Sequence, residues 1–360
     1  MRNVKTGRFF YAVMIILLFL PAACKNYSGN SKTAVIDPYF ITGLKENREH
    51  LTDLFSLLAE ENDSDENSFA IVREIANNYS REKEFGRLIH FLNRRVMDFP
   101  NDPYNSYYLL MIAYTYIQKD AHPVAVLYFD LIVKNHPDLI VNGESIHFAC
   151  LNRLIDLTEN SGKKVRYYEE LISRFPDNIN LGLTWFMLAQ AYEKTGDWDS
   201  AIRAYSGFLL YPGTTVPGFP NAELHAGQQV NFNNSSKDWT YESLSALLYA
   251  VRNAIDSEDP RLLGSIQSKV NFFSRSWRQR ETSGASTWEF KIADFMSGSR
   301  ISYADMVDPS SNAGEAYLRT WGWPQHIPIW YFYFRKIHFP LDPYIHGRWE
   351  WAGVYFGEMF

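Results

Sequence analysis

The sequence predicts a mainly α-helical protein in which a solenoid of helical hairpins precedes a smaller α+β domain with an aromatic-rich antiparallel sheet. Three observations support this fold class. Prolines end apolar helical stretches at nearly regular intervals in the first 214 residues. A stretch rich in Gly, Pro and Asn then interrupts the helical pattern. The last 40 residues include 14 Phe, Trp or Tyr, residue types that favour strands.

The spacing of the prolines indicates an internal repeat. They lie 37, 39 and 36 residues apart, at Pro100, Pro137, Pro176 and Pro212. A period of about 20–50 residues is the signature of a repeat architecture, and a proline stops a helix because it lacks an N–H donor. Aligned on these prolines, four segments share one pattern, at about 69–102, 106–139, 143–178 and 182–214.

This pattern resembles the tetratricopeptide repeat, which follows W-x2-L-G-x2-Y…A-x3-F…P over about 34 residues. The match is strongest at 182–214, where the pattern positions are Trp185, Leu188, Ala189, Tyr192, Ala201, Tyr205 and Phe208. The resemblance implies paired helices that cross at small residues such as Ala113 and Ala189, where the backbones approach closely.

The third segment departs from the pattern. Asn152 and Lys164 stand where small residues are expected, so this hairpin packs more loosely unless an inserted residue brings Val165 into register. A leading helix within 44–61 is expected to cap the stack. With it, the helical repeats cover residues 41–214.

Residues 215–238 are rich in Gly, Pro, Asn and Ser and are interpreted as a linker. Residues 239–360 then form the α+β domain, which begins with two helices. Its aromatic segments 327–339 and 347–357 are predicted to be neighbouring antiparallel strands. Their rings either fill a large core or form an aromatic surface, and the sequence leaves both uses open.

The N-terminus has the layout of an export signal. Arg2, Lys5 and Arg8 precede an apolar stretch at 9–20, and small residues follow up to Cys24. This is the order of an n-region, an h-region and a cleavage site. The apolar stretch is too short for a membrane span, which needs about 20 residues.

The stretch resembles a bacterial lipoprotein signal, in which the Cys at the junction is acylated and becomes the new N-terminus. It departs from that family because Pro21, rather than Leu, stands three residues before the Cys. The resemblance implies removal of residues 1–23, lipidation of Cys24 with a diacylglycerol thioether and usually a third acyl chain, and a lipidated tether at 24–40. An ordinary secretory signal is the alternative. The only other cysteine, Cys150, is then expected to be a buried thiol.

Composition excludes several functions. The net charge is −6 and basic residues cluster only at the extreme N-terminus, so no nucleic-acid partner is expected. The chain has no Cys/His cluster and no zinc-protease helix, so we predict no metal, no cofactor and no catalytic residue. His326, His338 and His346 lie near carboxylates in the aromatic region, which leaves an enzymatic or small-ligand role for the C-terminal domain as the alternative.

The tetratricopeptide resemblance also implies a concave groove lined by the first helix of each repeat. In this register the groove residues are Tyr107, Leu110, Tyr114 and Ile117 in the second repeat, Ile146, Arg153 and Asp156 in the third, and Leu183, Phe186, Gln190 and Glu193 in the fourth. Such a surface suits a partner helix or an extended peptide. Alternatively, the chain's own capping helix or C-terminal domain fills the groove.

Together these features predict an exported protein that a lipid anchors to a bacterial membrane, facing the periplasm, with the outer membrane favoured because Lys25 rather than Asp follows Cys24. Its layout is similar to that of repeat lipoproteins in outer-membrane protein assembly, envelope maintenance and transport. We therefore expect a module that binds a protein or peptide in the cell envelope.

Overall fold

A computed structural model describes residues 36–61, 65–277, 290–296, 300–324 and 326–359. The predicted signal, Cys24 and most of the predicted tether lie outside these residues. The chain divides into two compact units, within residues 1–102 and 103–360. The first repeat belongs to the first unit, and the other three repeats share the second unit with the C-terminal sheet.

The described part of the first unit contains the helices α1 (Lys45–Glu60), α2 (Glu66–Arg81) and α3 (Phe85–Asp98). Helices α2 and α3 form the first hairpin, and the leading helix α1 packs against α2. The ring of Phe40 lies 5.9 Å from Phe55 and 6.0 Å from Phe91. These aromatic contacts join the leading segment to the hairpin.

The second unit begins with three consecutive helical hairpins, which confirms the predicted solenoid. Their helices are α4 (Asn105–Gln118), α5 (His122–Asn135), α6 (Ile146–Leu157), α7 (Ser161–Arg174), α8 (Leu181–Thr195) and α9 (Trp198–Phe208). Ala113 and Ala189 are fully buried, as their predicted crossing positions require. Gly196 ends α8 with a φ of 78°, and the Asp197 carboxylate accepts the Ser200 N–H at 3.1 Å to begin α9.

The third hairpin accommodates its polar position locally. The Asn152 side chain donates to the carbonyl oxygen of Phe148 at 2.9 Å, one turn back on α6. Cys150 is fully buried on the same helix, as predicted, and burial raises the pKa of its thiol.

A short β-hairpin that the sequence analysis did not predict connects α5 to α6. Its strands are β1 (Ile140–Val141) and β2 (Glu144–Ser145). Asn142 and Gly143 form its turn with φ values of 53° and 83°, as a type I′ turn requires. Two-residue strands are too short for hydrophobic periodicity to reveal them.

The predicted linker at 215–238 contains a helix, α10 (Ala222–Asn233). It packs against α9, and its small residues Ala222 and Ala226 join the core of the last hairpin. At its other end Phe232 lies 5.0 Å from the ring of Phe339 in the C-terminal domain. The linker prediction failed because this helix buries small residues at one end and a single ring at the other, without an apolar stripe.

The C-terminal domain is an α+β unit. Its helices are α11 (Leu244–Asp256), α12 (Pro260–Ile266) and α13 (Ala293–Met296), and its strands are β3 (Phe273–Ser276), β4 (Ser302–Tyr303), β5 (Glu315–Trp321), β6 (Ile329–Lys336) and β7 (Trp349–Phe356). The strand order is β3-β7-β6-β5-β4. Strands β6 and β7 are antiparallel neighbours, as predicted, but β3 pairs with β7 in parallel. The sheet is therefore mixed rather than purely antiparallel.

Aromatic residues occupy both faces of this sheet. On the inner face Trp330, Phe332 and Trp351 are buried in a core with α11 and α12. On the outer face Tyr331 and Tyr333 are also buried. The Tyr333 hydroxyl donates to Glu315 at 2.8 Å and the Tyr331 hydroxyl to Glu358 at 3.0 Å. The strand aromatics therefore serve mainly as core, and acceptors satisfy the hydroxyls that burial removes from water.

Enlarging the crossing residues tests the repeat register. Ala113→Leu and Ala189→Leu should each lower the free energy of unfolding by about 1–3 kcal/mol, because an overpacked core forces strain on its neighbours. Chemical denaturation of each variant measures this. A control substitution, Lys119→Ala at the exposed end of α4, should change stability by less than about 0.5 kcal/mol. Equal stability of all three variants would contradict the register.

Candidate partner-binding groove

The predicted groove residues of the second repeat form one stripe along α4. Tyr107, Leu110, Tyr114 and Ile117 are all half-buried. Their spacing of three or four residues places them on one face of the helix. The adjacent face carries the buried residues Tyr108, Leu109, Ile112 and Ala113. The stripe therefore leaves aromatic and aliphatic surface partly exposed beside the hairpin core.

Arg153 connects this stripe to the third repeat. Its guanidinium carbon lies 5.8 Å from the ring centroid of Tyr114, within the range of a cation–π interaction. Its Nη1 is 4.0 Å from a carboxylate oxygen of Asp156, a long ion pair on an open surface that contributes little to stability. The Tyr114 ring also packs edge-on against Phe129, with centroids 5.6 Å apart. The structure thus brings Tyr114, Arg153 and Asp156 together.

Two residues assigned to the groove are core residues instead. Ile146 is buried at the start of α6, and Phe186 is fully buried. The ring of Phe186 lies 5.1 Å from Phe208 and 5.4 Å from Phe219. Phe219 belongs to the segment that was interpreted as a linker. Because this segment folds back over the last hairpin, the chain itself covers the fourth-repeat end of the predicted groove.

The remaining fourth-repeat residues differ in their surroundings. Leu183, Gln190 and Glu193 are half-buried on α8, and Leu183 packs against the apolar core of the last hairpin. Burial, together with the hydrogen-bonded Glu193 carboxylate, raises the pKa of Tyr205. The Tyr205 hydroxyl is also 3.3 Å from Nε2 of His225 on α10. Glu193 therefore takes part in an internal contact at the covered end, whereas Gln190 lies one turn after the buried Phe186.

The C-terminal histidines do not converge with Glu350. His338 and His346 are exposed and lie 5.2 Å apart, and His338 approaches Trp198 of α9 at 6.0 Å. Glu350 is buried, and its two oxygens accept from Trp239 Nε1 at 3.1 Å and from Arg335 Nε at 2.8 Å. The Glu350 carboxylate therefore joins strands β6 and β7 to Trp239, in the segment before α11.

His326 is exposed as well. Within the described residues no group of three or more His, Cys, Asp or Glu side chains is arranged to hold a metal ion. No helix in the described parts of the chain is long and apolar enough to cross a membrane.

Sequence reasoning missed Phe219, His225 and helix α10, which decide what remains open in the fourth repeat. A weak signal was present, since Val216, Phe219 and Ala222 are spaced by three residues. The surrounding Pro and Gly masked it, because they are typical of loops.

Consecutive helical hairpins followed by a mixed-sheet domain define a helical-repeat protein with a second α+β module. A family model described as a tetratricopeptide repeat matches residues 184–213, which span most of α8 and all of α9. A search of curated proteins finds no match to the chain. Tetratricopeptide repeats generally mediate protein–protein interactions and are typically not enzymes.

The two kinds of groove position should respond differently to truncation. Phe186→Ala should lower the free energy of unfolding by about 3–5 kcal/mol, because it leaves a cavity among Tyr205, Phe208 and Phe219. Gln190→Ala, one turn later on the same helix, should change it by less than about 1 kcal/mol, because Gln190 is only half-buried. Thermal and urea melts compare the pair. Similar stability of the two variants would show that Phe186 is not a core residue.

Proposed function

We propose that this protein is a lipid-anchored cell-envelope protein that binds a partner protein or peptide in the groove of its second and third repeats. One observation carries this proposal: the half-buried stripe of α4, which is partly exposed, lies beside Arg153 and Asp156 of α6. A preformed surface of this kind avoids part of the ordering cost of binding.

The chemistry of the stripe suits a helix or an extended segment with apolar side chains. Tyr and Arg are enriched among the residues that dominate interface energies, and anchors of this kind contribute about 2 kcal/mol or more when buried. Tyr114 is held by Phe129 and Arg153, so little side-chain freedom is lost on binding. Arg153 and Asp156 offer both signs of charge at the rim, which favours correct orientation of a partner.

The proposed location follows from the N-terminal sequence. A basic n-region, a short apolar stretch and Cys24 support export and lipid attachment. Two or more acyl chains on Cys24 would hold the protein stably at a membrane, whereas one chain gives only marginal binding. In this proposal the repeats face the periplasm, and Lys25 favours the outer membrane.

The anchor is tested by Cys24→Ala. This variant should lose incorporation of labelled fatty acid, and the protein should appear as unprocessed precursor or leave the membrane fraction. Cys150→Ala is the matched control and should keep both lipid labelling and membrane partition, because Cys150 is buried within α6. A processed Cys24→Ala protein that still partitions with membranes would refute lipid anchoring.

The groove is tested by site-specific photocrosslinking of the full-length protein in native membranes. A photoreactive amino acid at Leu110 should give a discrete crosslinked product. The same amino acid at Leu127, which is 65 % exposed on α5, should not. Tyr107→Ala combined with Arg153→Ala should reduce the Leu110 product at least about tenfold, because loss of 1.4 kcal/mol of binding energy already has that effect.

A melting curve of the same double variant separates binding from folding. Its melting temperature should stay close to that of the unchanged protein, since both side chains lie outside the hairpin cores. Equal crosslinking from Leu110 and Leu127, or a Leu110 product that survives the double substitution, would exclude the groove as the binding surface.

A further inference from the structure

A buried histidine connects the second repeat to the third. His147, the second residue of α6, is 4 % exposed. Its Nε2 lies 3.0 Å from the carbonyl oxygen of His136, just after α5. Its Nδ1 lies 2.6 Å from a guanidinium nitrogen of Arg174, the last residue of α7. One imidazole therefore links the ends of three helices.

These two partners select one protonation state of the ring. A carbonyl oxygen can only accept a hydrogen bond, so Nε2 of His147 must carry a proton. A guanidinium can only donate, so Nδ1 must be unprotonated. The neutral imidazole satisfies both contacts. The imidazolium does not, because a proton on Nδ1 would point at the Arg174 donor.

The backbone N–H of the same residue, which does not titrate, holds the base of the β-hairpin. The His147 backbone N–H donates to Asp138 Oδ1 at 3.0 Å, and the Ser145 hydroxyl donates to the other Asp138 oxygen at 2.6 Å. The N–H of Ile146 donates to the carbonyl oxygen of Leu139 at 3.0 Å. The hairpin of β1 and β2 is thus attached to α6 at the residue next to the ring.

The charged groups around His147 come from each neighbouring segment. Burial lowers the pKa of His147 and Arg174 lowers it further, whereas the carboxylates of Asp138 and Glu170 and the bond to the His136 carbonyl oppose this. Glu170 also pairs with Arg174 at 3.1 Å. Burial and the nearby His147 ring lower the pKa of His136 as well.

Because folding lowers the pKa of His147, acid weakens the contact between its ring and Arg174. An unfolded histidine titrates near pH 6.5, and the folded pKa of His147 lies below that value. As pH falls below about 6.5, a form in which the contact between His147 and Arg174 is broken therefore binds the proton more readily than the form in which it is intact. The intact contact is fully stable above this pH and loses stability as pH falls toward the folded pKa.

We propose that His147 is a pH-sensitive latch: protonation of its Nδ1 displaces Arg174 and detaches the end of α7 from the start of α6. The proton comes from solvent, and Arg174 keeps its ion pair with Glu170. The latch does not rest on the proposed partner binding, because its test follows the end of α7 directly.

Two measurements on the full-length protein test the latch. An NMR titration should show His147 as the neutral Nε2–H tautomer at pH 7.5, with a midpoint below pH 6.5. Hydrogen exchange should show that the amides of residues 171–175 at the end of α7 lose protection over the same pH range, after correction for intrinsic exchange rates. The loss should be about tenfold for each unit by which folding lowers the pKa.

Matched variants assign the effect to one ring. His147→Gln keeps a donor and an acceptor but does not titrate, so protection of 171–175 should become independent of pH between 7.5 and 5. His136→Gln should keep the pH dependence, because the backbone carbonyl of residue 136 makes the contact. Arg174→Met removes the neighbouring cation and should raise the His147 midpoint, which provides a second test if His147→Gln does not fold.

Three results would overturn the latch. The first is protonation of His147 with unchanged protection of the end of α7. The second is a pH dependence in His147→Gln equal to that of the unchanged protein. The third is a His147 midpoint that Arg174→Met leaves in place.

Discussion

Each helical hairpin in this chain leaves an apolar face that only a neighbouring element can cover, and the rest of the second unit depends on how the last face is covered. Ala222 and Ala226 of α10 and the ring of Phe219 close the hairpin of α8 and α9. This closure buries Phe186. The side chains that stabilise the end of the solenoid therefore also cover the fourth-repeat end of the groove.

The covering helix has a second consequence, because it also contacts the C-terminal domain. Phe232 packs against Trp239 and Phe339, and the Asn271 side chain donates to the backbone of Gln228 at 3.0 Å. A segment with the composition of a loop is thus a structural connection between the repeats and the sheet. His338 adds a direct contact with Trp198 of α9, so the C-terminal domain also touches the last repeat without α10.

Aromatic residues pack on both faces of the C-terminal sheet. Rings from alternate positions of β6 fill both faces, and carboxylates on the outer face accept the tyrosine hydroxyls. Trp277, just after the edge strand β3, stacks on Tyr355 with centroids 4.2 Å apart and covers part of the outer face. The sheet therefore lies between two aromatic layers, which accounts for the aromatic richness of this region.

The sequence by itself determined the hairpin repeats, the crossing positions of Ala113 and Ala189 and the pairing of β6 with β7, because local periodicity and turn residues encode these features. Only the tertiary structure decided that α10 is a helix and that Phe186 is buried. It also decided that the His147 ring donates to a carbonyl oxygen on one side and accepts from a guanidinium on the other. These outcomes depend on contacts between residues far apart in the chain, which no local pattern reports. The position of the half-buried stripe on α4 follows from its register, whereas the cover over Phe186 could not be read from any local pattern.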